Sequence, residues 1–225
     1  MNTFILTGTT RGLGKSLSKE LSGNDYSKDK KVFISRQFSN LIADPSIDYL
    51  KIDLSEEIID ASKINLIEET KLVIFINNAS VIEPISQTLN ISLKEMDVPF
   101  NVNFKAPFVL AQYLALETQR IGASLLIINI TSGAASRPIK GWLSYCTSKA
   151  AIKMAFDVIA EENKNVDVIH YDPGVMDTDM QTIIRSSSKD RMPDVELFQR
   201  FKGSNKLVSP DEVAKKICEL IKGTL

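Results

Sequence analysis

At 225 residues and 44% hydrophobic, the chain can bury one good-sized core but is too short to add a large separate substrate domain. Its 27 basic and 28 acidic side chains leave a net charge of −1, which offers no field for nucleic acid or an anionic membrane surface. Two cysteines, Cys146 and Cys218, fit free thiols in a reducing compartment, and a single histidine leaves no ligand set for a metal.

The first strand is expected over residues 4–7, so close to the start that no room is left for a signal peptide. No apolar run is long enough to cross a membrane, and a cytoplasmic location is the expectation. A helix follows over 13–21, where Leu13, Leu17 and Leu21 recur at helical spacing with Lys15, Lys19 and Glu20 turned outward. Between strand and helix lies a glycine loop formed by Gly8, Thr10, Arg11, Gly12, Leu13 and Gly14 with Thr9. Such a loop lets the backbone approach a pyrophosphate, which the unpaired amides and dipole of the helix N-terminus would hold.

Further strands are predicted over 32–35, 49–52, 72–77, 125–130 and 166–171, with helices over 55–69, 104–120, 145–162 and 211–221. The last helix has a defined start, with Ser209 as cap, Pro210 at the first helical position and Glu212 three residues on from the cap. Strands alternating with helices predict one doubly wound α/β domain over 1–225, a parallel sheet covered on both faces. The order expected for its six strands is 3-2-1-4-5-6.

In nucleotide-binding units of this kind an acidic residue after the second strand holds the ribose 2′-hydroxyl of NAD. Here Arg36 stands at that place, with Arg11 in the glycine loop as a second cation. Forked donors without a carboxylate favour a 2′-phosphate, hence NADP(H); the competing reading makes Arg36 a solvated strand-end residue. Tyr145 and Lys149 lie four apart on one face of a helix, and Ser132 ends the strand before it. Reduction of a carbonyl needs a proton donor, and a tyrosine with a pKa of about 10 is poorly matched to neutral pH. Lowering it by about three units takes roughly 4 kcal/mol, which an ammonium about 4 Å away at an effective dielectric of about 20 can supply.

With these residues in place the chain resembles the short-chain dehydrogenase/reductase family, in its compact one-domain form. The resemblance runs through Gly8, Gly12 and Gly14, Asp53-Leu54, Asn77-Asn78-Ala79, Asn103, Ser132, Tyr145, Lys149 and Asp172-Pro173-Gly174. Within the family, residues 137–146 and 171–181 are most similar to the branch of sepiapterin reductases and bacterial benzil reductases. The resemblance implies Tyr145 as general acid, Ser132 polarising the carbonyl, and Lys149 binding the nicotinamide ribose and depressing the tyrosine pKa. It implies that Asn103 holds a water relaying protons to Lys149. Asp53 and Leu54 would border the adenine, Asn78 and Ala79 the ribose, and Val175 and Thr178, after Pro173 and Gly174, the carboxamide. Substrate contacts would come from Ser132, Trp142, Tyr145 and Met176, under a lid at about 178–208. A homodimer through helices 104–120 and 145–162 is also implied.

Three departures from the family pattern stand out. Ser80 replaces the usual glycine after Asn-Asn-Ala. The stretches from Arg36 to Asp53 and from Asp53 to Leu72 are short, so two helices on one face should be abbreviated. The sequence ends at Gly223-Thr224-Leu225 without the seventh strand of relatives, or the acidic residue that anchors pterin in sepiapterin reductases. Of the remaining residues, His170 reads as a strand residue without an obvious serine or carboxylate partner, and Cys146 as a small packing residue. Trp142 either floors the substrate pocket or braces its loop. The function expected is NADPH-dependent reduction of a small ketone or vicinal diketone. The alternatives are a reductase of acyl-carrier-bound 3-oxoacyl groups and a non-catalytic NADP(H)-binding sensor.

Overall fold

The computed structural model describes residues 1–38, 41–203 and 207–224. Its sheet holds β1 (Asn2–Thr7), β2 (Lys30–Ser35), β3 (Ile47–Lys51), β4 (Leu72–Asn77), β5 (Ser124–Ile130) and β6 (Val166–Tyr171). All pairings are parallel and the order is β3-β2-β1-β4-β5-β6, as the sequence led us to expect. Strands buried on both faces read as nearly continuous apolar runs, and the period-two alternation then sorts their side chains between two cores. Phe4 and Leu6 face α1 (Gly12–Leu21) and the last helix, α7 (Pro210–Thr224), meeting Leu17, Leu21, Ile217 and Ile221. Ile5 faces the opposite layer, where Phe75 meets Phe156 edge-on at 6.4 Å. Each such buried side chain contributes about 1.5–3 kcal/mol.

That second layer is built from a long helical segment and from α4 (Leu143–Glu162). The long segment comprises α2 (Asp97–Phe100), a wider π turn Asn101–Lys105 and α3 (Ala106–Ile121), so it begins earlier than the predicted residue 104. A Ser92–Glu95 capping box starts it. Pro107 accounts for the wide turn, because in a regular helix the carbonyl of Asn103 would accept from the amide of residue 107, which proline lacks.

The predicted helix over 55–69 is absent; only a single turn, Ala61–Lys63, forms there. Asp53 accepts from the amide of Ser55, and Asp60 from that of Ser62, so side chains capture backbone donors that a helix would need. The two connections expected to be abbreviated therefore contain no α-helix among the described residues. The second, from Asp53 to Leu72, still tucks Leu54, Ala61 and Ile64 into the core. Two further helices not foreseen from the sequence, α5 (Asp179–Arg185) and α6 (Val195–Gly203), lie within the 178–208 span. Residues 204–206, with Lys206, fall outside the described residues. Ser209 and Glu212 form the expected cap of α7. No helix among the described residues is long and apolar enough to cross a membrane.

Candidate active site

A cleft of about 1300 Å³ opens along the carboxyl ends of the strands. Into one end the β1–α1 loop brings Gly8, Thr10, Arg11, Gly12, Leu13 and Gly14. The loop is fixed by its neighbours. Asn78 Nδ2 donates to the carbonyl of Thr7 at 2.8 Å, and Thr7 Oγ1 accepts from the amides of Asn78 and Ala79. A Cβ on Gly8 would sit 3.0 Å from Ala79 Cα, and one on Gly14 would collide with the carbonyl of Gly8. Two of the three glycines are thus required by packing within the protein. Gly12, at a φ of 50°, meets nothing nearer than the Thr178 methyl at 3.4 Å.

α1 begins at Arg11 with no side-chain cap, which leaves its first amides facing the cleft. Arg11 lies 3.8 Å from Asp179, and Arg36 faces the cleft beside Asp53. Burial works to raise the Asp53 pKa, but the Ser55 amide and hydroxyl, with Arg36, hold it below the usual value. Leu54, Pro173, Gly174, Val175, Met176 and Thr178 complete this wall.

At the other end, Ser132 follows β5 while Tyr145 and Lys149 project from the first turns of α4, and all three line the cleft. Lys149 donates to the carbonyl of Ile130 at 2.9 Å, and its ammonium lies 5.8 Å from the centre of the Tyr145 ring. Burial pushes the Tyr145 phenol up to about 12, against hydroxyls of Ser132 and Ser80 that pull it down. Burial also pushes Lys149 down to about 8. Removal from water is the largest influence on both groups.

Asn103 does not line the cleft. Its side chain accepts from the amide of Val81 and the hydroxyl of Ser80, and donates to the carbonyl of Val81 and the hydroxyl of Ser148. Trp142 both lines the cleft and braces its loop, edge-on to Tyr145 at 5.7 Å and 5.1 Å from Phe198. Its indole Nε1 and the Oε1 of Gln181 are buried and unpaired. His170, expected to lack a carboxylate partner, has one: its Nε2 lies 2.7 Å from Asp157 Oδ1 and its Nδ1 3.0 Å from Asn129 Nδ2. Asp157 is on α4, so no spacing in the sequence announces the pair.

Sequence reasoning missed the influence of Ser80 on Tyr145, and missed the apolar contribution of Ile184 and Phe198 from the 178–208 span, which join Trp142 and Tyr145 in one cluster. Ile183 with Ile184, and Leu197, Phe198 and Phe201, carried a helical spacing that could have revealed it.

A family model for short chain dehydrogenase matches residues 2–189. A benzil reductase ((S)-benzoin forming) of Bacillus subtilis is 31% identical over 235 residues, covering 100% of this chain and 95% of the relative. A sepiapterin reductase of Xenopus tropicalis is 30% identical over 237 residues, covering 96% and 90%. Among solved structures, the KRED1-Pglu enzyme superposes with a TM-score of 0.80 at 23% identity, covering 98% of this chain and 94% of that one.

Proposed function

This chain belongs to the short-chain dehydrogenase family, and on that premise we propose that it is an NADPH-dependent reductase of a small ketone or vicinal diketone. The observation that carries the proposal is the convergence of Ser132, Tyr145 and Lys149 on one cleft whose far end is the glycine loop.

The residues present fit a dinucleotide. The uncapped start of α1 offers amides to a pyrophosphate, and Gly12 leaves its approach open. Arg11 and Arg36 would bind the 2′-phosphate, exchanging their partners Asp179 and Asp53 for a doubly charged anion. Asp53 and Leu54 would border the adenine, and Asn78 and Ala79 the ribose. Val175 and Thr178, after Pro173 and Gly174, would hold the carboxamide. When bound, the nicotinamide supplies the hydride.

Tyr145 would give its hydroxyl proton to the substrate oxygen, while Ser132 hydrogen-bonds that oxygen and polarises the carbonyl. Lys149 would hold the ribose and favour the phenolate electrostatically. Asn103 would serve the relay through its main-chain carbonyl, since its amide is fully engaged and Pro107 removes the α-helical donor. The substrate end presents an apolar wall of Trp142, Met176, Ile184 and Phe198. An apolar wall of that kind beside the reacting groups suits a compact, largely apolar carbonyl compound such as a vicinal diketone. The B. subtilis relative is named for benzil, a diketone of that class. Helices α5 and α6 would act as the lid, and the enzyme would work as a cytoplasmic homodimer.

The test is a panel of diketones, monoketones and pterins, followed by loss of NADPH absorbance. Turnover of diketones above monoketones of equal size supports the proposal, and no turnover with any of them overturns it.

A further inference from the structure

Ser80 occupies the place where the family pattern has glycine, directly after Asn78 and Ala79. Its hydroxyl donates to Asn103 Oδ1 at 3.0 Å. The direction of that bond is fixed by Val81, whose amide donates to the same oxygen at 2.9 Å and whose carbonyl accepts from Asn103 Nδ2 at 2.8 Å. A flipped amide would set like against like at both contacts. Asn103 Nδ2 also donates to Ser148 Oγ at 3.0 Å, and Ser148 in turn donates to the backbone carbonyl of Tyr145 at 3.1 Å. The loop after β4 is thereby tied to the turn of α4 that carries the phenol. Ser80 and Tyr145 line the same cleft, and the Ser80 hydroxyl, with that of Ser132, draws the pKa of the phenol down.

We propose that Ser80 is a positioning residue for Tyr145, accepting from the phenol while it is protonated and turning to donate to the phenolate once the proton has left. The proposal rests on Tyr145 as proton donor. The phenolic O–H breaks, an O–H forms on the substrate oxygen, and Ser80 keeps its own proton throughout. In turning, Ser80 gives up a neutral bond to Asn103, whose Oδ1 retains the Val81 amide. It gains a charge-assisted bond about twice as strong, so the ionised tyrosine is favoured. Ser132 supplies a comparable hydroxyl but is assigned to the substrate oxygen. Ser80 has no such second assignment, so it stays with the tyrosine throughout the reaction.

The experiment uses the holoenzyme at saturating NADPH, with turnover measured against pH in Ser80→Ala and Ser80→Gly. Carbonyl reduction fails at high pH as Tyr145 loses its proton, and in both variants that limb should move upward by about half a unit to one unit. NADPH affinity, read by fluorescence titration, should stay unchanged, and Ser80→Thr should return the limb to its original position. A merely structural serine would lower the melting temperature or raise KM and leave the limb in place. An unmoved limb in whichever of the Ala and Gly variants folds overturns the proposal. Tyr145→Phe separates the two levels: loss of turnover with an unmoved Ser80 limb overturns the role of Ser80 alone, whereas retained turnover overturns both.

Discussion

The ammonium of Lys149 donates to the carbonyl of Ile130 at 2.9 Å, and burial, not a neighbouring charge, sets its proton affinity. A lysine so placed costs the fold stability. Between its folded value of about 8 and its ordinary 10.5, the unfolded chain binds the proton more tightly than the native one. The cost is therefore complete below about pH 8 and vanishes as pH rises through the unfolded value.

Lys149→Met should raise the melting temperature of the cofactor-free protein at pH 7 while abolishing turnover and weakening NADPH binding. The proton linkage is worth about 3 kcal/mol, less about 1 kcal/mol for the lost bond to Ile130. The net of about 2 kcal/mol corresponds to roughly 4–8 °C in a chain of this size. Calorimetry at pH 7 and pH 10 checks this, since the gain must shrink at the higher pH. A variant less stable than the parent at pH 7 contradicts it.

Tyr145→Phe retains the ring that packs edge-on against Trp142 and removes only the hydroxyl. Turnover should fall by about 10²–10⁴-fold with NADPH affinity nearly unchanged. Steady-state rates and a fluorescence titration measure the two separately. More than roughly a tenth of parental turnover would place the proton donor elsewhere.

Arg36→Asp sets a second carboxylate beside Asp53 and removes a phosphate partner. The ratio of kcat/KM for NADPH over NADH should drop by about 10–100-fold, the worth of one charge-assisted contact. Equal use of both cofactors by the parent protein would remove the basis for the prediction.

Leu116 on α3, with Met154 and Val158 on α4, is 62% exposed, and the latter two are 63% and 45% exposed, on helices whose opposite sides cover the sheet. Light scattering at micromolar concentration should give twice the 25.0 kDa chain mass, and Met154→Glu should return the monomer. A monomeric parent excludes the dimer.

The limits of β4 and β6 were legible because β4 is an apolar run and β6 an apolar–polar alternation, each bounded by polar or turn residues, and such strands between helices dictate a parallel sheet. The stretch 55–69 forms no α-helix because Asp53 and Asp60 each close a local turn on the serine two residues ahead. The long helix begins ahead of the predicted residue 104 because Pro99 lies in a first turn, where it is tolerated, and Pro107 is absorbed by a π turn. Cleft-lining positions such as Gly8, Arg36, Asp53 and Ser132 could be anticipated since each follows a strand in a parallel sheet. Contacts such as Ser80 with Asn103, or His170 with Asp157, depend on elements brought together only by folding. Nothing local encodes them.

The helix-poor half of the sheet has a thermodynamic consequence. β3 pairs with β2 alone, and its residues after Ile47 are only partly covered. Edge segments of this kind open for far less free energy than a central strand such as β1. Arg36 and Asp53 border the same strands, so a ligand bound there would draw its affinity partly from a segment that frays in its absence. Linkage makes the relation run both ways: ligand occupancy should slow amide exchange in β3, and substitutions in β3 that loosen the edge should weaken binding without touching the ligand. The sheet margin then serves as a tuning point for affinity, separable from the chemistry at Tyr145.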